Sequence, residues 1–401
     1  MTRALRIAVF GSVLALAFTS AWVWARQAAP AAGQASRQQF PGGTNPDGSL
    51  RPSRPLTNLF TQDAYTLYEI LAPGSEQFRI TFMTENNRAG ATEIVNATRA
   101  GSEGTDVEVF DPRTGKPMTF VYEELPNGDH AIRAALPFPV PEGGIGRALI
   151  YKTYKDARTY MMNGSDIVWV RSLSGYRLGV VLPKGFGFVS SDVAAHVSTL
   201  ADGRLKLAFA NPSGQSNPVT IHARPTTAVF KPAAHTDVFL DDIKTLYDLG
   251  APESGAFRVE QTYSETRKGP TASIDALSYL PMRDLMVIDL DTAKPLDIQK
   301  SGTKTSAKLG VPITSDKQSA HLSVGGTVTD GSYRVVDNEL VFERTLRGLR
   351  NTVLLPSGWQ VSMVSQSGTI GRMPEGRAFV ALINLNAENI YKVVIRARAR
   401  S

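Results

Sequence analysis

The sequence predicts an all-β protein in which two tandem homologous β-sandwich (immunoglobulin-like) units follow an N-terminal hydrophobic helix. Three observations predict it. Short apolar runs recur about every 8–12 residues with Gly, Pro, Asn and Asp between them. Beyond the amino terminus no segment sustains a helical period. The third is an internal repeat: Thr66-Leu67-Tyr68, Ala72-Pro73 and Phe78-Arg79 return as Thr245-Leu246-Tyr247, Ala251-Pro252 and Phe257-Arg258, each 179 positions later.

The amino terminus comes first. Arg3 and Arg6 precede nineteen residues, 7–25, that carry no charge and end near Trp22 and Trp24. A helix of that length spans about 28 Å, close to the roughly 30 Å hydrocarbon core of a bilayer. Tryptophans at its end suit a membrane interface, and the arginines place Met1 in the cytoplasm and the body outside. Val23 and Ala25 also fit cleavage after Ala25, which would make residues 1–25 a signal peptide. The segment is longer than an ordinary signal core, which favours a retained anchor. Residues 26–58, rich in Pro, Ala, Gln and Gly, read as a linker.

The two β units follow at 59–228 and 229–401. Runs such as Phe78–Thr84, Ala148–Tyr154 and Ile167–Leu173 in the first are answered by Phe257–Tyr263, Glu339–Leu346 and Tyr391–Ala397 in the second. The register holds through Asp106, Asp111 and Lys116-Pro117, which return as Asp284, Asp289 and Lys294-Pro295. Identities that keep their order while the spacing drifts mark duplication of a whole domain. Leu182-Pro183-Lys184-Gly185 and Leu355-Pro356-Ser357-Gly358 each end an apolar run with a proline and then a glycine able to take positive φ, so both predict turns. Each unit holds enough strands for one large sandwich or two small ones.

Composition narrows the chemistry. The absence of cysteine excludes disulfides, thiolate nucleophiles, cysteine-ligated metals and a lipoprotein anchor. The net charge of +6 lies mostly before residue 59, which leaves the body near neutrality and unsuited to nucleic acid. None of the five histidines has a partner at metal-ligand spacing. Among the carboxylates, Asp289 and Asp291 flank a turn where aspartate caps backbone N–H groups. No catalytic, cofactor-binding or metal-binding residue is therefore assigned, and no enzyme activity is expected.

Candidate contact residues lie where the copies differ. Tyr151 and Tyr154 crowd one hairpin of the first unit. Arg396, Arg398 and Arg400 alternate with alanines on the last strand, which puts three guanidinium groups on one face, either to blunt a sheet edge or to dock an acidic surface. The expected function is a non-catalytic, membrane-tethered, periplasmic interaction protein whose partners are other proteins, as in an accessory subunit of a respiratory or photosynthetic complex. The alternative is a secreted module that binds carbohydrate or a surface polymer through Tyr151 and Tyr154.

Overall fold

The computed structural model describes residues 64–98, 102–126, 128–173, 175–210, 217–232, 242–274, 282–302, 304–373, 375–384 and 390–399. The apolar segment 7–25 with Trp22 and Trp24, the linker 26–58, and Arg400 lie outside them. Among the described residues the chain is all-β, in several sheets, and no helix is long and apolar enough to cross a membrane.

Among the described residues the first half holds fourteen strands: β1 (Tyr65–Ile70), β2 (Gln77–Asn86), β3 (Glu93–Thr98), β4 (Glu103–Phe110), β5 (Phe120–Glu124), β6 (His130–Ala135), β7 (Gly146–Lys155), β8 (Tyr160–Asn163), β9 (Asp166–Leu173), β10 (Arg177–Val181), β11 (Phe186–Ser191), β12 (His196–Thr199), β13 (Leu205–Ala210) and β14 (Asn217–Pro225). The second continues with β15 (Lys244–Leu249), β16 (Ala256–Glu265), β17 (Gly269–Ser273), β18 (Arg283–Asp289), β19 (Lys294–Pro295), β20 (Ile298–Ser301), β21 (Lys304–Ile313), β22 (Ala320–Thr329), β23 (Tyr333–Val336), β24 (Glu339–Arg347), β25 (Arg350–Leu354), β26 (Trp359–Val364), β27 (Thr369–Arg372), β28 (Ala378–Ile383) and β29 (Ile390–Ala399).

Each half is neither one simple sandwich nor two separate ones. A broad sheet, β12-β13-β10-β1-β2-β7-β4, is covered on one face by two smaller sheets, β11-β14-β9-β8 and β3-β6-β5. The second half has the same orders, β27-β28-β25-β15-β16-β22-β18-β19 covered by β26-β29-β24-β23 and β17-β21-β20. Both include one parallel pair, β1 with β10 and β15 with β25.

Alternation along the strands explains the layers. On β7 the side chains of Ala148, Ile150 and Tyr154 enter the core, while Arg147, Leu149 and Tyr151 point to the opposite face. β10 is buried at every position, and it lies between a parallel neighbour, β1, and an antiparallel one, β13. Local signals recur as well. Asp106 and Asp284 both adopt positive φ where β4 and β18 bulge, a conformation aspartate tolerates better than most residues. Gly185 and Gly358 each have φ of 82° in the two predicted turns, which close through Phe186 N–H to Pro183 O and Trp359 N–H to Pro356 O.

The first core centres on Trp169, fully buried, with its ring 5.3 Å from Tyr68 and packed between the broad sheet and the four-stranded cover. Trp169→Ala is expected to cost about 3–5 kcal/mol, the usual range for emptying an aromatic site in a core, read as a drop in the urea midpoint.

Candidate functional site

Among the described residues, groups able to do chemistry are found at the junction between the halves, in a polar seam inside the first half, and on the outer face of β24 and β29.

At the junction, backbone groups pair reciprocally. Ile145 N–H donates to Leu290 O at 2.8 Å, and Ser319 N–H donates to Pro112 O at 2.7 Å. Ser319 stands in the second half where Ile145 stands in the first, and Leu290 where Pro112 stands. The two bonds are thus related by an approximate two-fold, the relation found in an isologous dimer interface. Side chains reinforce it. The buried Arg147 guanidinium holds both Asp291 oxygens at 2.6 Å, and its third nitrogen donates to Ser319 Oγ at 2.8 Å. Burial drives the Asp291 carboxyl upward, and the Arg147 charge opposes that rise. His321 Nδ1 lies 3.5 Å from Glu85 in the same layer, and Leu349 packs on Ala208.

Both carboxylates of the turn, Asp289 and Asp291, are thereby engaged. Asp289 Oδ1 accepts the N–H of Asp291 at 2.9 Å, as the turn-capping reading expects, and Asp111 Oδ1 caps Arg113 N–H in the first half at the same distance. A small cleft lies here, lined by Arg113, Asp289, Asp291, Gly310 and Ser319. Both carboxylates on its wall already hold structural donors. Among the described residues no three His, Asp or Glu side chains are placed to share a metal ion.

Tyr151 and Tyr154 separate. They are three positions apart on one strand, so they point to opposite faces. Tyr154, 1 % exposed, packs edge-on against Phe78 in the core, and burial raises its phenol. Tyr151 is half-buried beside Phe110, and Lys317 from the second half sits 3.4 Å from the Phe110 ring centre and 5.8 Å from that of Tyr151. The hairpin thus meets the chain's own second half.

The seam was not legible in the sequence. Lys152 follows Ile150 on the inward face of β7, between the cores under the two covering sheets, and is 4 % exposed. Its amine donates to Asn96 Oδ1 at 2.5 Å and lies over the Tyr154 ring at 4.8 Å. Burial, with the positive charge of Arg171 adding to it, lowers its pKa to about 7. Arg171 itself stacks over Tyr68, Phe78 and Tyr154, and lies 3.9 Å from Asp156. Although burial opposes it, Asp156 is held low by Arg158 N–H and the hydroxyls of Thr159 and Ser102. The second half keeps the arginine–carboxylate pair as Arg344 and Asp330 at 2.6 Å, but has Gly326 in place of Lys152. An amine near neutrality can take or give a proton, yet this one is enclosed. The signal in the sequence was a single lysine in an otherwise inward-facing register.

Arg396 and Arg398 lie where alternation puts them, on the outward face of β29, with Ala397 buried between them. They are not on an edge. β29 pairs with β24 on one side and β26 on the other, so edge protection does not apply. Both arginines pair with Glu339, at 3.1 and 2.6 Å.

No family model matches the chain, and no curated protein matches it. Among solved structures it is similar to a two-domain M1 zinc metallopeptidase bound to L-tryptophan, at 14 % identity over 45 % of this chain and 46 % of that one, with a TM-score of 0.30. An M1 zinc metallopeptidase from Deinococcus radiodurans gives 13 % identity, 50 % and 46 % coverage and a TM-score of 0.30. A protein provisionally named a protease, from Parabacteroides distasonis, gives 9 %, 84 %, 92 % and 0.24. The chain spans about half the length of the first two. Likeness at this level assigns neither fold family nor activity.

Proposed function

We propose that this chain is a non-catalytic interaction protein, held at the extracytoplasmic face of a membrane by residues 7–25 and serving as an accessory part of a membrane protein complex. In this reading its body consists of two copies of one unit, 59–228 and 229–401, in which the broad sheet and its four-stranded cover form an immunoglobulin-like sandwich with the three-stranded sheet added to it, and the two copies are joined as a fused dimer. One observation carries the non-catalytic part: the groups best placed for chemistry are engaged in structure, Arg147 with the Asp291 carboxylate and Ser319 O across the junction, and Asp289 with the N–H of Asp291 in its own turn. The tether rests on the uncharged run of nineteen residues and its terminal Trp22 and Trp24. The secreted, glycan-binding alternative needs Tyr151 and Tyr154 on one surface, and their opposite orientations remove its support.

Extraction from membranes in mild detergent tests the proposal. The expected result is a chain that begins at Met1, resists release by salt and elutes in a larger assembly. A monomer with a mature start near Arg26 would overturn it.

A further inference from the structure

The outer faces of the two four-stranded covers occupy equivalent places in the two halves and carry different chemistry. One feature is shared: Arg224 pairs with Asp166 at 2.6 Å in the first half, and Arg398 with Glu339 at the matching place in the second. The rest diverges. Met161, Pro218 and His222 on the first face are replaced by Arg334, Lys392 and Arg396 on the second.

Among the described residues four cations therefore share the second face, those three with Arg398, against the carboxylates Glu339 and Glu343 that they pair with. The charges are also layered. The side chains of Arg334 and Arg396 are each 43 % exposed, Lys392 66 % and Arg398 69 %, whereas Glu339 is 18 % and Glu343 32 % exposed. Ammonium and guanidinium groups form the outermost layer and the carboxylates lie beneath them. Hydrogen bonds from Lys392 and then Arg334 lower Glu343 to about 2, so it stays ionised under its cations. Exposed Val336, Met363 and Ile390 lie among the charges. Since the body as a whole is near neutral, this excess is local.

We propose that this face docks on the anionic phospholipid surface of the membrane to which residues 7–25 hold the chain, an inference that rests on the tethered reading above. A sheet face bearing cations and scattered apolar side chains suits lipid headgroups, which rearrange to meet it. An acidic protein would have to match the fixed positions of four side chains. Each Lys or Arg near an anionic leaflet contributes about 1 kcal/mol, so a net two cations favour contact by roughly 30-fold at low salt.

The chain has no cysteine, so Gln360→Cys, beside Arg398 on this face, gives a unique labelling site. The full-length chain carrying a fluorophore there is reconstituted into vesicles containing quencher-bearing lipids. One set is phosphatidylcholine alone and the other contains phosphatidylglycerol. The label is expected to be quenched only in the phosphatidylglycerol vesicles, and to recover in about 1 M salt, where the Debye length is about 3 Å. Arg396→Glu with Arg398→Glu should abolish quenching. Arg334→Gln with Lys392→Gln, which leaves the Glu339 pairs in place, should weaken it. Insertion into both vesicle types without quenching in either, or quenching that both double variants retain, overturns the proposal while leaving the tether intact. Quenching that appears only after an acidic partner protein joins the vesicles also overturns it. A chain that enters neither vesicle type overturns the tether itself.

Discussion

Arg147→Met is expected to destabilise the protein by about 3–5 kcal/mol at pH 7, because it leaves the Asp291 carboxylate buried without its counter-charge. Asp291 has both oxygens on that guanidinium, and burial already pushes its pKa up. With Arg147 gone it must take a proton or draw in water, and the Ser319 contacts are lost with it. The penalty should shrink as pH falls and Asp291 protonates. The double replacement Arg147→Met, Asp291→Leu should recover most of the loss, since well-packed apolar groups often replace a buried ion pair at little cost. Urea unfolding of the three variants checks this. A single-variant loss below about 1 kcal/mol would show that the junction does not depend on the pair.

Lys152→Met should act in the opposite direction. The folded amine has its pKa lowered to about 7 from 10.5, so between those values the unfolded chain binds a proton that the folded chain does not. Stability of the native protein therefore rises with pH across this window, by roughly 1.4 kcal/mol per unit, and below pH 7 the whole penalty of about 4–5 kcal/mol is present. Removing the amine leaves Asn96 without a donor, which costs about 1–3 kcal/mol. The net expectation is a variant more stable by about 2 kcal/mol at pH 6, with the advantage gone near pH 10. Parallel pH profiles for the two proteins would show that the amine keeps its ordinary pKa.

The scaffold was legible where periodicity and turn chemistry coincide. Phe78–Thr84, Ala148–Tyr154 and Ile167–Leu173 are strands because alternation and β-branched or aromatic side chains agree there, and the repeated Pro–Gly turns close as expected. Strands with mixed signals were not legible. β21 begins Lys-Thr-Ser-Ala-Lys, and β22 carries Gly325 and Gly326, whose missing side chains allow the close approach of Val259 O and Arg283 O. The outward face of Arg396 and Arg398 followed from alternation alone, but the central place of β29 did not, because strand order depends on contacts between distant segments. The two tyrosines show the same limit. Three residues apart, they had to point in opposite directions, yet what each one meets is decided by Phe78 and the covering sheet's Arg171 for Tyr154 and by the second half's Lys317 for Tyr151.

The non-catalytic, tethered account stands or falls most directly on the intact mass of the chain recovered from its native membrane. The account predicts a full-length species that begins at Met1 and stays with the membrane through salt washing. A soluble species of a mass corresponding to a start at Arg26 would contradict it.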